Sequence, residues 1–149
     1  MDGVYSIFDT GVGSIYISRL WYDGFVDELA RVAKEKLFAY NSRLYSRCSN
    51  NFPSIFFLIS GIYIEVAPKD YISDVSREKD GSVCLIHFQP SDSPFLIFGM
   101  PLFVDYTTVF DDQASIVGFK PTVGSEKVTI REGVVPMQAL RLPSDFELS

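Results

Sequence analysis

The most informative stretch of the 149-residue chain is residues 6–14, which read Ser6-Ile7-Phe8-Asp9-Thr10-Gly11-Val12-Gly13-Ser14. The apolar pair before Asp9 favours a buried strand, so a short strand runs directly into a carboxylate. Gly11 and Gly13 permit backbone angles that residues with a Cβ resist. A carboxylate at the end of an apolar strand is costly to hold unless hydrogen bonds or a second carboxyl group satisfy it. The stretch therefore predicts either a functional carboxylate or an Asp that merely caps a turn.

Two further segments follow much later in the chain. The first is Phe95-Leu96-Ile97-Phe98-Gly99, and the second is Tyr106-Thr107-Thr108-Val109-Phe110-Asp111 with Ile116-Val117-Gly118-Phe119 after it. Taken with Asp9-Thr10-Gly11, this order resembles the C-terminal lobe of pepsin-type aspartic proteases. The resemblance covers about residues 5–121, and the joint pattern is far more specific than any single motif in it.

The resemblance implies a mainly β fold. The expected architecture is a pepsin-like acid protease lobe, a partial β-barrel with one longer and one short helix. Residues 1–121 are expected to form this lobe without its first strands, and residues 122–149 to form a C-terminal extension on the surface or on a partner.

The resemblance also implies which residues are catalytic and which bind the substrate. Asp9 is expected to be the catalytic carboxylate, which holds the attacking water and exchanges a proton with the substrate as general base or acid. Thr10 and Gly11 are expected to form the active-site loop, and Val12 and Gly13 to contact a peptide or protein substrate. The reaction needs two carboxyl groups that share one proton, because two like charges at that separation cannot both ionise easily.

The chain departs from the family pattern at positions that bear on activity. Val12 and Gly13 stand where the family usually has hydroxyl-bearing residues, and Val12 cannot donate a hydrogen bond from its side chain. Met100 stands where the family usually has Asp after the Gly. The chain contains neither a second Asp-Thr-Gly or Asp-Ser-Gly nor the other lobe with its flap tyrosine.

The two cysteines of the chain are Cys48 and Cys84. Their number alone leaves open whether they are free buried thiols. In the family, the segment that resembles residues 48–84 is flanked by cysteines that form a disulfide, so the resemblance implies a bond between Cys48 and Cys84. Such a bond would stabilise the fold by on the order of 3 kcal/mol. It implies an oxidising compartment, namely the secretory pathway, a lysosome or vacuole, or the extracellular space.

Three hypotheses remain, because one Asp alone cannot carry out the reaction. In the first, the chain is one lobe of an aspartic endopeptidase and is completed by a second Asp-bearing lobe from another chain or an omitted segment. In the second, the lobe is inactive and serves as a structural or interaction subunit of a larger assembly. In the third, Asp9 meets its own symmetry mate in a retroviral-type homodimer. The predicted long helix, the disulfide and the C-terminal hairpin argue against the third hypothesis.

Bulk composition narrows the class of protein. Hydrophobic residues make up 47% and aromatic residues 15% of the chain, as expected for a packed globular domain. The net charge of −6 argues against nucleic acid as a partner, because nucleic-acid binding requires a basic surface. No membrane span is predicted, since the longest apolar candidate, residues 52–66, is interrupted by Pro53, Gly61 and Glu65.

No cofactor or metal site is predicted. The single histidine, His87, lies among apolar residues, and no further ligand-type residues accompany it at metal-binding spacing. Asp111 and Asp112 are predicted to form a turn rather than to bind a metal ion.

Hydrophobic spacing predicts the regular elements. Residues 19–45 are predicted as one helix, because apolar residues recur there at helical intervals, namely Phe25, Leu29, Val32 or Ala33, and Leu37. The other predicted elements are strands at 54–59, 62–66, 82–88 and 95–98, a loop at 89–94, a short helix at 100–105, and a hairpin of 106–110 with 115–119.

Overall fold

The computed structural model describes residues 6–59, 62–76, 82–114 and 116–122, and the backbone of residues 130–132. This part of the chain is mainly β, as predicted. Its elements, in chain order, are β1 Ser6–Phe8, β2 Ile15–Ser18, α1 Arg19–Ala33, β3 Leu37–Tyr40, β4 Arg43–Arg47, β5 Ile55–Ile59, β6 Ile62–Val66, α2 Pro68–Tyr71, β7 Ile72–Asp74, β8 Val83–Ile86, β9 Phe88–Ser91, β10 Leu96–Phe98, α3 Met100–Phe103, β11 Tyr106–Asp111, β12 Ile116–Pro121 and β13 Ile130–Glu132.

The sheet that carries the N-terminal motif has four strands in the order β1-β10-β2-β9. Strand β10 runs parallel to β1 and antiparallel to β2, and β2 runs parallel to β9. Because β10 lies between β1 and β2, the connection between those two strands, residues 9–14, passes over the end of β10. The topology therefore places a loop from the start of the chain against a strand from near residue 98.

Helix α1 is shorter than the predicted helix over residues 19–45. Its buried face is formed by Phe25, Leu29 and Ala33, at the predicted helical spacing. The helix ends at Lys34, which adopts a left-handed conformation with φ 54° and donates its backbone N–H to the carbonyl of Ala30. Leu37, predicted as the next residue of this apolar face, instead begins strand β3.

The second half of that predicted helix is a β-hairpin, so the helix prediction was wrong there. Strands β3 and β4 pair antiparallel across Asn41 and Ser42, whose φ values of 48° and 61° are those of a hairpin turn with both central residues left-handed. Strand β4 shows the period of two expected of a half-buried strand, because Leu44 and Ser46 are buried while Arg43 and Arg47 are exposed.

The predicted disulfide is present. Cys48 and Cys84 are bonded, with their Cα atoms 5.0 Å apart. They link the end of β4 to β8, which pairs directly with β4 in a sheet of order β3-β4-β8-β7. The backbone N–H of Cys48 also donates to the carbonyl of Ser82 at 2.6 Å. The bond therefore joins segments that are already neighbours in one sheet.

The segment after β8 differs from its prediction. The predicted strand over residues 82–88 is interrupted at His87, and the predicted loop over 89–94 is partly strand β9, Phe88–Ser91. Strand β9 pairs parallel with β2, with Tyr16 opposite Gln89. The two prolines of this segment made a strand unexpected, because proline cannot donate a backbone hydrogen bond. The strand forms because β2, which is distant in the sequence, pairs with it.

The remaining predicted elements are confirmed. Strands β5 and β6 form a hairpin, helix α3 occupies most of the predicted short helix, and β11 pairs with β12 along its full length. Asp111 acts as a turn residue, because its Oδ1 accepts the backbone N–H groups of Gln113 and Ala114 at 3.1 and 3.0 Å. The backbone of β13 pairs antiparallel with β6, whereas the rest of residues 123–149 lies outside the described residues.

The core lies between the sheets and the inner face of α1. Phe25, Tyr71 and Phe98 are among its largest fully buried side chains, and the Phe88 ring packs against those of Phe25 and Tyr71 at centroid distances of 4.7 and 5.3 Å. Buried Tyr71 donates its hydroxyl to the carbonyl of Pro53 at 2.5 Å, which satisfies its polar end. This core packs against β2, β9 and β10, the strands next to the N-terminal loop.

Candidate active site

The loop that follows β1 is held at both ends by strand β10 and the residues after it. The backbone N–H of Asp9 donates to the carbonyl of Phe98 at 2.9 Å, and the backbone N–H of Met100 donates to the carbonyl of Val12 at 2.8 Å. The ring of Phe8 stacks on that of Phe98, with centroids 5.3 Å apart. Asp9 is therefore presented from a fixed backbone rather than from a free loop.

The residues after β10 pass close to the loop of residues 9–14, and we call this close approach the crossing. Gly99 makes the crossing possible. A Cβ on Gly99 would lie 2.3 Å from the carbonyl oxygen of Ser14 and 2.4 Å from that of Val12. Both neighbours are backbone atoms on the opposite side of the crossing. Only a glycine allows the two segments to approach so closely.

The carboxylate of Asp9 is oriented by its own loop. Its Oδ1 accepts the backbone N–H of Gly11 at 2.8 Å. A Cβ on Gly11 would lie 3.1 Å from the same oxygen, tighter than ordinary van der Waals contact, so the glycine leaves room for the carboxylate. Asp9, Thr10 and Gly11 are all exposed. The Asp-Thr-Gly sequence thus forms a turn, and the turn presents its carboxylate at the surface.

The next two predicted site residues lie on the same loop. Val12 is half-buried and Gly13 is exposed, and a Cβ on Gly13 would meet no atom within 4 Å. Ser14 is buried, and its hydroxyl accepts the side-chain N–H of Gln89 at 3.3 Å. All five residues of the predicted active site are therefore brought together at one end of the sheet.

A cavity of about 270 Å³ opens beside this loop. Gly13 and Ser14 form its edge nearest Asp9, and side chains from β2, β4, β8 and β9 complete it. Sequence reasoning missed this cavity, because its walls come from strands that are far apart in the chain. The lining residues are Gly13, Ser14, Tyr16, Arg43, Leu85, Ile86, His87 and Gln89.

His87 lines this cavity and contacts Ser73. Its Nε2 lies 2.6 Å from the hydroxyl oxygen of Ser73. Burial, and to a lesser degree the positive charge of Arg43, lower the pKa of the His87 imidazole below its usual value. The ring is therefore mostly neutral near pH 7.

A pair of buried carboxyl groups links helix α2, which contains Asp70, to Asp105, which lies two residues after helix α3. Lys69 Nζ is 2.6 Å from Asp105 Oδ2 and 3.2 Å from Asp70 Oδ1. Both carboxylates are nearly inaccessible, and Asp70 Oδ2 is buried without a donor among the described residues. Burial and the neighbouring Asp105 carboxyl raise the pKa of Asp70 to about 7. Nothing in the sequence signals this pair, because its members are far apart along the chain.

One group of potential metal ligands occurs in the part of the chain that the structure describes. Cys48, Asp74 and Cys84 place their ligand atoms within 4.8 Å of one another. The two sulfur atoms are joined in the disulfide, so they are not available as thiolate ligands. This group is a disulfide with a neighbouring carboxylate and not a metal site.

Comparison with known proteins gives the family. The sequence model of the eukaryotic aspartyl protease family matches residues 1–122, most of the chain. The chain belongs to this family. No curated protein matches it. Within the described residues, no helix has both the length and the apolar character needed to cross a membrane.

Proposed function

We propose that the chain is the C-terminal lobe of an aspartic endopeptidase, and that Asp9 is one half of its catalytic pair. The observation that carries this proposal is the geometry of the Asp-Thr-Gly turn. The Asp9 carboxylate is exposed, one of its oxygens is held by the N–H of Gly11, and its backbone is bonded to Phe98. A carboxylate that only capped a turn would not need a glycine at position 99 to bring a second segment against its loop.

The proposed mechanism needs a second carboxyl group close to Asp9. One carboxylate takes a proton from a water molecule that attacks the scissile carbonyl, while the protonated partner polarises that carbonyl. Aspartic proteases are themselves the established example of two carboxyl groups that share one proton in this way. Asp9 is exposed in this chain, so its open side is available to a second Asp-bearing lobe from another chain or another segment.

The order of motifs supports the C-terminal rather than the N-terminal lobe. In this chain the Asp-Thr-Gly turn is followed by a disulfide-closed segment, by the β10-Gly99 crossing and by the β11–β12 hairpin. This is the order that the resemblance to the C-terminal lobe of pepsin-type enzymes implies.

Exposed apolar side chains before the loop and on and just after helix α3, whose first residue is bonded to the loop, support a complementary lobe as partner. Ile7, Met100 and Val104 are 42%, 44% and 52% exposed. Ile7 precedes the Asp-Thr-Gly turn by two positions, and the backbone of Met100 is bonded to Val12. Covering such side chains on association is favourable, at about 25 cal/mol per Å² of apolar surface.

The disulfide and the family support an oxidising location. We propose the secretory pathway, a lysosome or vacuole, or the extracellular space. The proposed domain division is a lobe over residues 1–121 with an extension over 122–149.

One observation favours the second hypothesis, an inactive lobe in a larger assembly. Val12 offers no hydroxyl to the catalytic carboxylate, and the exposed Gly13 offers no side chain to a substrate. An inactive lobe would keep the same fold and partner surface without turnover.

Cleavage of a peptide with an apolar centre tests the proposal. The assay uses the natural protein with the chains that co-purify with it, between about pH 3 and pH 7, with and without a statine-type inhibitor. Turnover that the inhibitor abolishes is the expected result. Absence of turnover across this range would contradict the enzyme proposal and favour the inactive lobe.

A further inference from the structure

The cavity beside the catalytic loop carries a positive charge that no described group neutralises. Arg43 is the charged residue among those that line it, and the lining contains no carboxylate. Arg43 is exposed and forms no ion pair with any residue that the structure describes. By contrast, Arg19, Arg31 and Arg47 each have a carboxylate partner. A lone guanidinium in a protein of net charge −6 is a distinctive local feature.

The position of Arg43 is fixed by the hairpin that sequence reasoning missed. Arg43 directly follows the left-handed pair Asn41 and Ser42 and pairs with Tyr40. Its neighbour Leu44 pairs with Ile86, so the antiparallel register brings Arg43 level with His87. Arg43 is therefore the first residue of a paired strand, and its backbone is fixed by the hairpin.

The positive charge of Arg43 acts on another residue that lines the cavity. It contributes to the lowered pKa of His87, which lines the same cavity. The other polar groups of the lining are suited to hydrogen bonding, because Tyr16 offers a hydroxyl and Gln89 an amide. The side-chain N–H of Gln89 is oriented by the hydroxyl of Ser14. This combination of one cation and several neutral donors matches the needs of a carboxylate.

We propose that Arg43 determines specificity for an acidic group of the substrate, by pairing with a peptide carboxylate bound in this cavity. The proposal rests on the proposed function, because it takes Gly13, four positions after Asp9, as part of the substrate-binding edge. The carboxylate belongs either to an Asp or Glu side chain or to the peptide C-terminus. The chemistry is the same in both cases, a bidentate pairing of guanidinium and carboxylate.

The only histidine of the chain provides a direct probe of this site. His87 gives a single imidazole signal in a proton NMR titration of the full 149-residue chain. A carboxylate that pairs with Arg43 offsets the positive charge acting on the ring, so its binding raises the pKa of His87. Because all of the lining residues belong to this chain, the measurement needs no second lobe and no turnover.

Three short peptides with acetylated N-termini distinguish the sources of the carboxylate. The first has an internal Glu and an amidated C-terminus, the second has Gln in place of Glu, and the third is the Gln peptide with a free C-terminus. A response to the first peptide alone assigns a side-chain carboxylate, and a response to the third alone assigns a terminal carboxylate. If the neutral second peptide shifts the signal as strongly as the acidic ones, or if none shifts it at millimolar concentration, the proposal is wrong.

Substitutions at Arg43 test whether binding of the acidic peptide depends on its guanidinium. Arg43→Met is expected to weaken binding of the acidic peptide by on the order of fivefold, as for an exposed ion pair, while Arg43→Lys retains part of it. Arg47→Met, on the same strand but away from the cavity, is the matched control and is expected to bind like the parent. Equal binding by Arg43→Met and the parent would overturn the proposal.

The turnover assay and the peptide titration together separate the role of Arg43 from the proposed function. Inhibitor-sensitive turnover without an acidic-peptide response would overturn only the role of Arg43. An acidic-peptide response without turnover would support the cavity as a binding site while contradicting the enzyme proposal.

Discussion

Among the glycines that the structure describes, Gly99 is the one at which an added side chain would meet the closest contacts. An added Cβ would lie 2.3 and 2.4 Å from the carbonyl oxygens of Ser14 and Val12 in the loop after Asp9, and neither backbone atom can move without moving that loop. The glycine therefore links the stability of the lobe to the geometry of Asp9. The sequence indicates this position only through the apolar-apolar-Gly pattern of the family, because the atoms that exclude a side chain come from residues 85 or more positions earlier.

Substitution Gly99→Ala is expected to lower the free energy of unfolding by at least about 2 kcal/mol, through overpacking against the backbone. Denaturant unfolding of the purified chain measures this change. Gly24→Ala is the control, because a Cβ on this exposed helical glycine meets nothing within 4 Å.

The control is expected to stabilise helix α1 by about 0.5 to 1 kcal/mol, since alanine is the better helix former. Equal stability of Gly99→Ala and the parent would contradict the crossing geometry.

At the scale of elements, the hairpin of β3 and β4 shows where reasoning from sequence failed. Leu37 continues the helical spacing of α1, yet the helix has already ended at the left-handed Lys34. The turn that follows is Asn41-Ser42, which lacks the glycine that usually marks such turns. The strand character of residues 43–47 becomes decisive only through pairing with β8, a partner about 40 positions away.

The disulfide was predicted from the resemblance, and its contribution to stability is testable. The double variant Cys48→Ser with Cys84→Ser is expected to lose between about 3 and 4 kcal/mol of unfolding free energy, because the unfolded chain regains the freedom of a 36-residue loop. Denaturant unfolding under oxidising conditions measures the loss. The parent in reducing buffer serves as the second comparison. A loss below about 1 kcal/mol would show that the paired strands β4 and β8 hold this region without the bond.

The carboxyl pair of Asp70 and Asp105 gives the lobe a pH dependence. The pKa of Asp70 is about 7 in the folded protein, whereas its ordinary value is 3.8. Between these two pH values the folded state therefore binds more protons than the unfolded state. Stability from this group is therefore present at low pH and is lost as the pH rises through about 7. The pKa of Asp105 is lowered by hydrogen bonds from Asp70 and Lys69, against the effect of burial, so its contribution is lost only in strong acid.

The variant Asp70→Asn is expected to remove most of this decline, because an amide cannot ionise but still donates to Asp105. Thermal midpoints measured between about pH 4 and pH 8 test this. Asp92→Asn, an exposed carboxylate paired with Arg19, is the control and is expected to keep the decline of the parent. A decline in Asp70→Asn as steep as in the parent would contradict the assignment.

At the scale of the whole molecule, local motifs predicted the Asp-Thr-Gly turn and the mainly β architecture, but not the residues that surround the turn. Asp9 through Gly13 form a contiguous motif, so their proximity follows from the sequence alone. Arg43 and Gln89 reach the same region only through the pairing of β4 with β8 and of β9 with β2. Such long-range register depends on the complete fold, and no short pattern in the chain specifies it.

Asp9 is proposed to supply one carboxyl group of a two-lobed protease. The most direct test is the turnover of the natural assembly carrying Asp9→Asn, beside a matched variant, Asp112→Asn, at an exposed turn position of the β11–β12 hairpin. We expect Asp9→Asn to lower kcat by at least about a thousandfold while its thermal midpoint stays near that of the parent, and Asp112→Asn to retain full activity. Equal turnover in Asp9→Asn and the parent would contradict the proposal that Asp9 is a catalytic carboxyl group.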